Sequence, residues 1–561
     1  MSTHSFTAVL AGAILLYACA QKPNSPSEEQ ISSIKLKSGD LITCGPEASE
    51  FGTVAFNFSG GKELRDDFQL GVKLLHSFEY DEAEKVFARV IYKEPSCAMA
   101  YWGVAMSNFH PLWTPPTPDE LAKGAKAVEI AKTIGGKTEL ENAYINAIST
   151  FYADYQKLDH KSRALRFEKA MEEVHNRFPD DKEATIFYAL ALDAAADPND
   201  KTYHKQKKAG EMLSKLYPGQ PNHPGIVHYI IHTYDYPELA HIALPAARKY
   251  ASVAPSSAHA LHMPSHIFTR LGMWDESIKS NMASAESARC YAEAAGIKGH
   301  WDEELHAMDY LMYAYLQKGD NDNAKKQLDY LNSIKEVNPF NFKVAYTYAA
   351  IPARYALENK LWEQAANVYA HDDKIDWSKY GWQSAILHFT RALGAAHMKQ
   401  LDKAEMELDS LKSIHAALLA QKDAYKAQQV NIQAKASEAW IELMKGNKDK
   451  ALETMQEAVA LEDATEKHPV TPGEVIPARQ LLADMYVELK QHDKALKEYE
   501  IELRRHPNRF NAVYGAASAA EAAKDYATAE KYFKHLQAIT VKGSNRPEFA
   551  KAGGFVSNVK M

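Results

Sequence analysis

The feature that most limits the folds open to this chain is a recurring helix-pair signature with small residues at fixed places. Near the C-terminus Leu482, Ala483, Tyr486, Ala495, Tyr499 and Pro507 form one unit. Tyr526, Ala529 and Phe533 open the next, with 34 residues from Ala495 to Ala529. Near the start, Gly71, Tyr80, Ala83, Phe87 and Pro95 take matching places. Beyond residue 60 apolar residues recur at three- and four-residue spacings, the period of an amphipathic helix. There is no sustained period-two alternation, so strands are not expected. A unit of this kind cannot bury its apolar side alone and must stack on neighbours. A chain of 561 residues built this way is expected to form one long array instead of a single ordinary core.

These residues resemble the tetratricopeptide repeat, in which small residues let two antiparallel helices approach and a proline stops the second. The resemblance implies an all-α fold, a right-handed α-solenoid of tetratricopeptide-like helix pairs. In the middle the units lengthen. Turn-plus-helix signals stand before Ser277, Ala324, Ala365, Ala404 and Ala451, at spacings of 39 to 47 residues. The expected organisation is a signal peptide with lipobox over 1–19 and a tether and N-terminal extension over 20–61. A superhelix then covers 62–540, with a His-rich section at 221–310, and 541–561 form a C-terminal tail. Three blocks, Cys97 to Trp113, Pro221 to Trp274 and His468 to Ala478, further resemble a bacterial family of exported tetratricopeptide proteins. That resemblance implies a fold and an envelope location, and it implies no reaction.

Phe6 to Ala18 is an apolar run of 13 residues, too short to span a bilayer but suited to the core of a signal peptide. It ends in Leu16-Tyr17-Ala18-Cys19, which resembles a bacterial lipobox, although the preceding segment carries His4 and no Lys or Arg. The expectation is an exported protein, lipid-anchored at the bacterial envelope and touching membrane only through that anchor. A net charge of −8 without a Lys/Arg-rich stripe excludes a dedicated nucleic-acid binder. With Cys19 lipidated, Cys44, Cys97 and Cys290 remain, an odd number for a disulfide framework. Cys97 and Cys290 lie in helical patterns and read as small buried thiols.

Nine of the 23 histidines, at 223, 228, 232, 241, 259, 262, 266, 300 and 306, fall between 223 and 306. Their placement says more than their number. In tetratricopeptide proteins the first helix of each pair lines the concave groove, at positions 18, 15, 11 and 7 residues before the small anchor of the second helix. These steps of three and four share one helix face. From Ser277 they give His259, His262, His266 and Arg270; from Ala324 they give His306, Asp309, Tyr313 and Gln317. His228 and His232 take the same face one pair earlier. Trp102, Met106 and His110 share a face in the first units and reach this groove only if the superhelix closes on itself.

Histidines at i and i+4, as in His228/His232 and His262/His266, can chelate one ion from a single helix. His306 with Asp309 would complete a set of nitrogen and oxygen donors suited to a transition metal such as zinc, copper or iron. Pro264, between two of these histidines, is expected to kink the helix by freeing the carbonyl of Ala260. Neither HxxxH pair carries the Glu of HExxH, and phosphate-cradling, dinucleotide and nucleophile-elbow motifs are absent.

Two functions follow. In one, the groove holds a metal on His228, His232, His262, His266, His306 and Asp309, with His110, Trp102, Met106, His259, Arg270 and Tyr313 around it, and supports metal-dependent hydrolytic or redox chemistry. In the other, the protein is a metal-free scaffold that binds a peptide, protein or small molecule in the groove. The identity of the ligand is open in both.

Overall fold

The computed structural model describes residues 25–44, 50–112, 114–198, 200–371 and 373–559. The signal-peptide and lipobox reading, and Trp113, lie outside the described residues. Antiparallel helix pairs follow one another along the chain, from Lys62–His76 with Tyr80–Lys93 to Phe510–Ala522 with Tyr526–Ile539. The fold is an all-α solenoid.

The small residues act where the pattern places them. Ala83, Ala324, Ala365, Ala404, Ala451, Ala495 and Ala529 are fully buried at helix crossings. Phe87 lies between Gly71 and Gly103, where an added Cβ would come within 2.7 and 2.4 Å of its ring. Gly394 lies so close to the preceding pair that its Cβ would fall 2.2 Å from the backbone nitrogen of Ala366. Close backbone approach, with an aromatic ring closing the remaining gap, is what stacks one pair on the next.

Among the described residues the coil returns on itself at points far apart in sequence. The helix Lys62–His76 comes round to Pro224–Thr233, where His76 Nδ1 meets the Tyr229 hydroxyl at 2.9 Å. Further on, the Trp274 indole donates to the Asn508 carbonyl at 2.9 Å, and Val541 N–H donates to the Lys318 carbonyl at 2.9 Å. The inner wall is therefore shared by pairs far apart in sequence. An irregular segment, 464–477, runs along it. Arg354 donates to the carbonyls of Gly473 and Glu474 at 2.8 and 2.7 Å, and the His468 ring lies 5.0 Å from Trp382.

Four points differ from the sequence-based expectation. His300–Trp301 and Val337–Asn338 form a two-residue parallel bridge, a join between loops too short for alternation to reveal. Cys290 is not a lone thiol: it is disulfide-bonded to Cys44 across 246 residues, leaving Cys97 buried and free among the described residues. The pairing was hidden because loop closure, not helical pattern, brings the two together. The segment before residue 62 packs on the solenoid through buried Ile34, Phe51 and Phe56. At the other end, Pro547–Val559 is a further helix, sealed by Phe555 against Phe533.

Candidate metal centre

The histidine block occupies the inner wall where the coil first closes. Pro224 opens the helix Pro224–Thr233, and the His223 imidazole caps it by accepting from Ile226 N–H at 3.4 Å. This sets His228 and His232 one turn apart on one face. Pro264 splits the next inner helix into Ala258–His262 and Pro264–Arg270, the interruption expected of a proline that frees the carbonyl of Ala260. Ser257 starts the first piece by accepting from Ala260 N–H at 3.0 Å. His259 and His262 thus project from one short piece and His266 from the other, while His306 comes from Asp302–Gln317.

The rings meet in two sets. In the first, His228 Nε2 lies 2.9 Å from His232 Nε2 and 3.1 Å from His259 Nε2. In the second, His262 Nε2 lies 3.0 Å from His266 Nε2, and the His262 and His306 ring centres are 4.2 Å apart. Each set offers three donor atoms within 4.8 Å of one another. Two nitrogens bound to one ion at about 2.0–2.1 Å stand roughly 3 to 3.4 Å apart, so both sets have the span of an ion's coordination shell.

The outer nitrogens fix the tautomers. His228 Nδ1 lies 2.6 Å from the His76 carbonyl, which can only accept, so this nitrogen carries the proton. His266 Nδ1 donates to Asp235 Oδ2 at 3.0 Å. His262 Nδ1 donates to Asn281 Oδ1 at 2.6 Å, and Asn281 is oriented by its own N–H bond to the Ser277 carbonyl at 2.8 Å. In the neutral rings, then, the Nε2 atoms of His262 and His266 both present lone pairs, facing each other at 3.0 Å, with the Tyr310 hydroxyl 3.4 Å from His266 Nε2. Such a contact repels unless a cation shares it. Outer-nitrogen hydrogen bonds of this kind orient imidazoles as metal ligands and raise their basicity.

Protonation does not readily supply the cation. Burial, and then the neighbouring imidazoles, push His228, His232, His259, His262 and His306 well below the ordinary imidazole value. Burial lowers His266 too, against the upward pull of Asp235. Asp235 is itself buried, which works against its charge, but Lys467, Arg270 and His266 outweigh that and hold it ionised. Arg270 grips it from Nε to Oδ1 at 2.9 Å, and Lys467 Nζ, from the inner-wall segment 464–477, reaches Oδ2 at 3.3 Å. Phe78 covers the first set, with ring centres 4.4 Å from His228 and 5.5 Å from His259. Tyr310 covers the second, at 4.7 Å from His262 and 5.1 Å from His266.

The remaining candidates fall into place around this array. Asp309 stands outside both sets and pairs with Arg354 Nε at 3.3 Å. The Tyr313 hydroxyl accepts from Arg509 at 3.0 Å. Trp102 belongs to an aromatic core, 5.2 Å from Phe56, and Met106 is buried in the same region. His110 shares a pocket with His259 and Phe78, with its ring 4.6 Å from Tyr80. Of the other block histidines, His241 is exposed and His300 pairs with Glu304 at 2.7 Å. Sequence reasoning set His259 among the surrounding groups and gave Asp235 no place in the site. It missed Phe78, Asn281 and Tyr310 altogether. Asn281 lies four residues after Ser277 and on the same face, which is the signal that was there to find.

A third cluster shows by contrast what a self-satisfied site looks like. The Nε2 atoms of His76 and His223 donate to the two oxygens of Glu183 at 3.0 and 2.8 Å. His76 Nδ1 accepts from Tyr229, and His223 Nδ1 caps its helix. Every ring nitrogen has a partner of the opposite kind, so this cluster needs no ion. Its role is support, since the His76 carbonyl orients His228.

No protein-family model and no curated protein matches the chain. Among solved structures it is similar to a tetratricopeptide repeat protein from Parabacteroides merdae, at 12% identity over 54% of this chain and 99% of that one, with a TM-score of 0.29. It is similar to the P58(IPK) TPR domain at 13% identity, over 68% of this chain and 99% of that one, with a TM-score of 0.20. The human IFIT1 dimer with PPP-AAAA matches at 12% identity, over 83% of this chain and 94% of that one, with a TM-score of 0.33.

Proposed function

We propose that the chain is an exported helical-repeat protein that holds transition-metal ions in two adjacent three-histidine sites, His228/His232/His259 and His262/His266/His306. The observation that carries this reading is the pair of lone-pair nitrogens, His262 Nε2 and His266 Nε2, that face each other 3.0 Å apart in a buried wall. A metal ion relieves that contact and satisfies both lone pairs. Three protein ligands leave further coordination positions open, the arrangement that permits a bound ion to act on a ligand as well as to hold the fold. The apolar run Phe6 to Ala18 and the lipobox-like Cys19 support export to the envelope. The Cys44–Cys290 bond supports it too, because such bonds persist mainly in oxidising compartments. Among the described residues no helix is long and apolar enough to cross a membrane.

The repeat scaffold also offers surfaces on which a protein or peptide partner docks. The stretch of inner wall beside Tyr346, Trp382 and Gln429 shares one cavity with residues of the chain's own segment between Lys467 and Ile476. Elemental analysis of tag-free protein decides between the two functions. The metal reading expects about two equivalents of transition metal per chain, one of which is lost in His262→Ala/His266→Ala while the helical spectrum is kept. Metal-free protein that also fails to take up zinc or copper on titration would leave only the docking scaffold.

A further inference from the structure

The two histidine sets are not separated by any long stretch of wall. Their rings form one run of contacts: His259 to His228 at 5.0 Å, His228 to His232 at 4.6 Å, His232 to His266 at 6.5 Å, His266 to His262 at 5.0 Å and His262 to His306 at 4.2 Å. Each set is built from neutral nitrogen donors alone, with no carboxylate among the ligands. Imidazole donors without carboxylate disfavour manganese, magnesium and calcium, and copper stands highest in affinity among the divalent ions that imidazole suits. Copper has a second advantage here. Its monovalent form brings the least charge into a buried site, where unpaired charge is costly.

The charge balance says what must accompany the metals. Asp235 is the carboxylate bonded to the array, through His266, and it is already shared by Arg270 and Lys467. Two divalent ions would therefore bring four positive charges against six neutral rings. One anion lying between them offsets part of the charge on both at once. Access is from the first set. One pocket is lined by His232 with Arg270 and Lys467, and another by His259 with Phe78 and His110. In the second set His262 and His266 are only 1% and 4% exposed, so whatever spans to it has to be small.

Resting on the metal reading above, we infer that the two sets form one dinuclear copper centre that binds a single small ligand of the dioxygen or azide class between its ions. With dioxygen the electrons balance within the site: each Cu(I) gives one electron, and the ligand takes two to become a bridging peroxide dianion. The pockets at His232 and His259 admit the ligand, and Phe78 and Tyr310 keep bulk water from the rings.

The test loads metal-free full-length protein with copper, counts the metal, oxidises it, and integrates the electron paramagnetic resonance signal with and without azide. The expected result is two coppers per chain with an integrated signal far below two spins, and an azide charge-transfer band that saturates at one azide per two coppers. His262→Ala/His266→Ala is expected to keep one copper and to show its full single spin. Two coppers with two full, independent spins would overturn the shared centre and leave the metal sites standing. Protein that takes up no stoichiometric copper but holds zinc overturns this inference alone, and protein that takes up no metal overturns both.

Discussion

Replacing Arg509 with methionine is expected to destabilise the fold by about 3–5 kcal/mol, the cost of breaking a fully buried ion pair from one side. Arg509 is fully buried and ties together four helices of the closed coil. It pairs with Glu358, donates to Gln480 Oε1 at 2.6 Å and donates to the Tyr313 hydroxyl at 3.0 Å. Methionine fills much of the volume but supplies no donor. Glu358 would keep amide donors from Gln317 and Asn511, at 3.0 and 2.7 Å, and lose its counter-charge. Arg177→Met is the control, because the Arg177–Glu139 pair is 59% and 79% exposed and pairs of that kind contribute little. Denaturant unfolding followed by circular dichroism should show a large midpoint loss for the first and none for the second. Equal midpoints would mean that the coil does not close through Arg509.

The second large effect is acid lability of the metal-free protein. Its five most strongly perturbed array histidines have folded-state affinities for protons well below the ordinary 6.5. Below that value the unfolded chain takes up protons that the folded chain refuses. The stability these groups contribute is complete above pH 6.5 and is lost as pH falls toward their folded values. Each histidine costs up to about 1.4 kcal/mol per pH unit in that window. His506 runs the other way: despite burial, Glu502 and Glu474 raise it to about 9. Its contribution is full in acid and is lost only as pH rises through about 9, so it does not produce the acid loss. Thermal unfolding of metal-free protein should therefore show Tm dropping steeply from pH 6.5 to 5. Added metal should raise Tm at pH 7 and lose that effect in acid, because protons compete for the same nitrogens. A flat acid profile would contradict buried, neutral imidazoles.

The helical array was legible because its cause is local. Small residues at Ala83, Ala495 and Ala529 and aromatics at Phe87 and Tyr499 state the crossing distance of two helices directly. The same arithmetic, counted back from Ser277 and Ala324, set His259, His262, His266 and His306 on inner faces, and the structure brings them together. It failed for Asp309, which obeys the spacing yet turns to Arg354, since spacing fixes a helix face and not the partner across it. What stayed hidden depends on closure of the coil. Phe78 reaches the first set, and His76 orients His228, only because the helix Lys62–His76 comes round to Pro224–Thr233. Lys467 meets Asp235 across 232 residues, and Cys44 meets Cys290 across 246. No local period encodes contacts of that range.

Crystals soaked with copper or zinc and measured across the metal's absorption edge test the central claim most directly. The account predicts anomalous peaks within about 2.0–2.3 Å of Nε2 on His228, His232 and His259, and of Nε2 on His262 and His266 together with a ring nitrogen of His306. Peaks at His76, Glu183 and His223 with none among those six nitrogens would contradict it, and so would a fully loaded crystal whose metal lies only on exposed side chains.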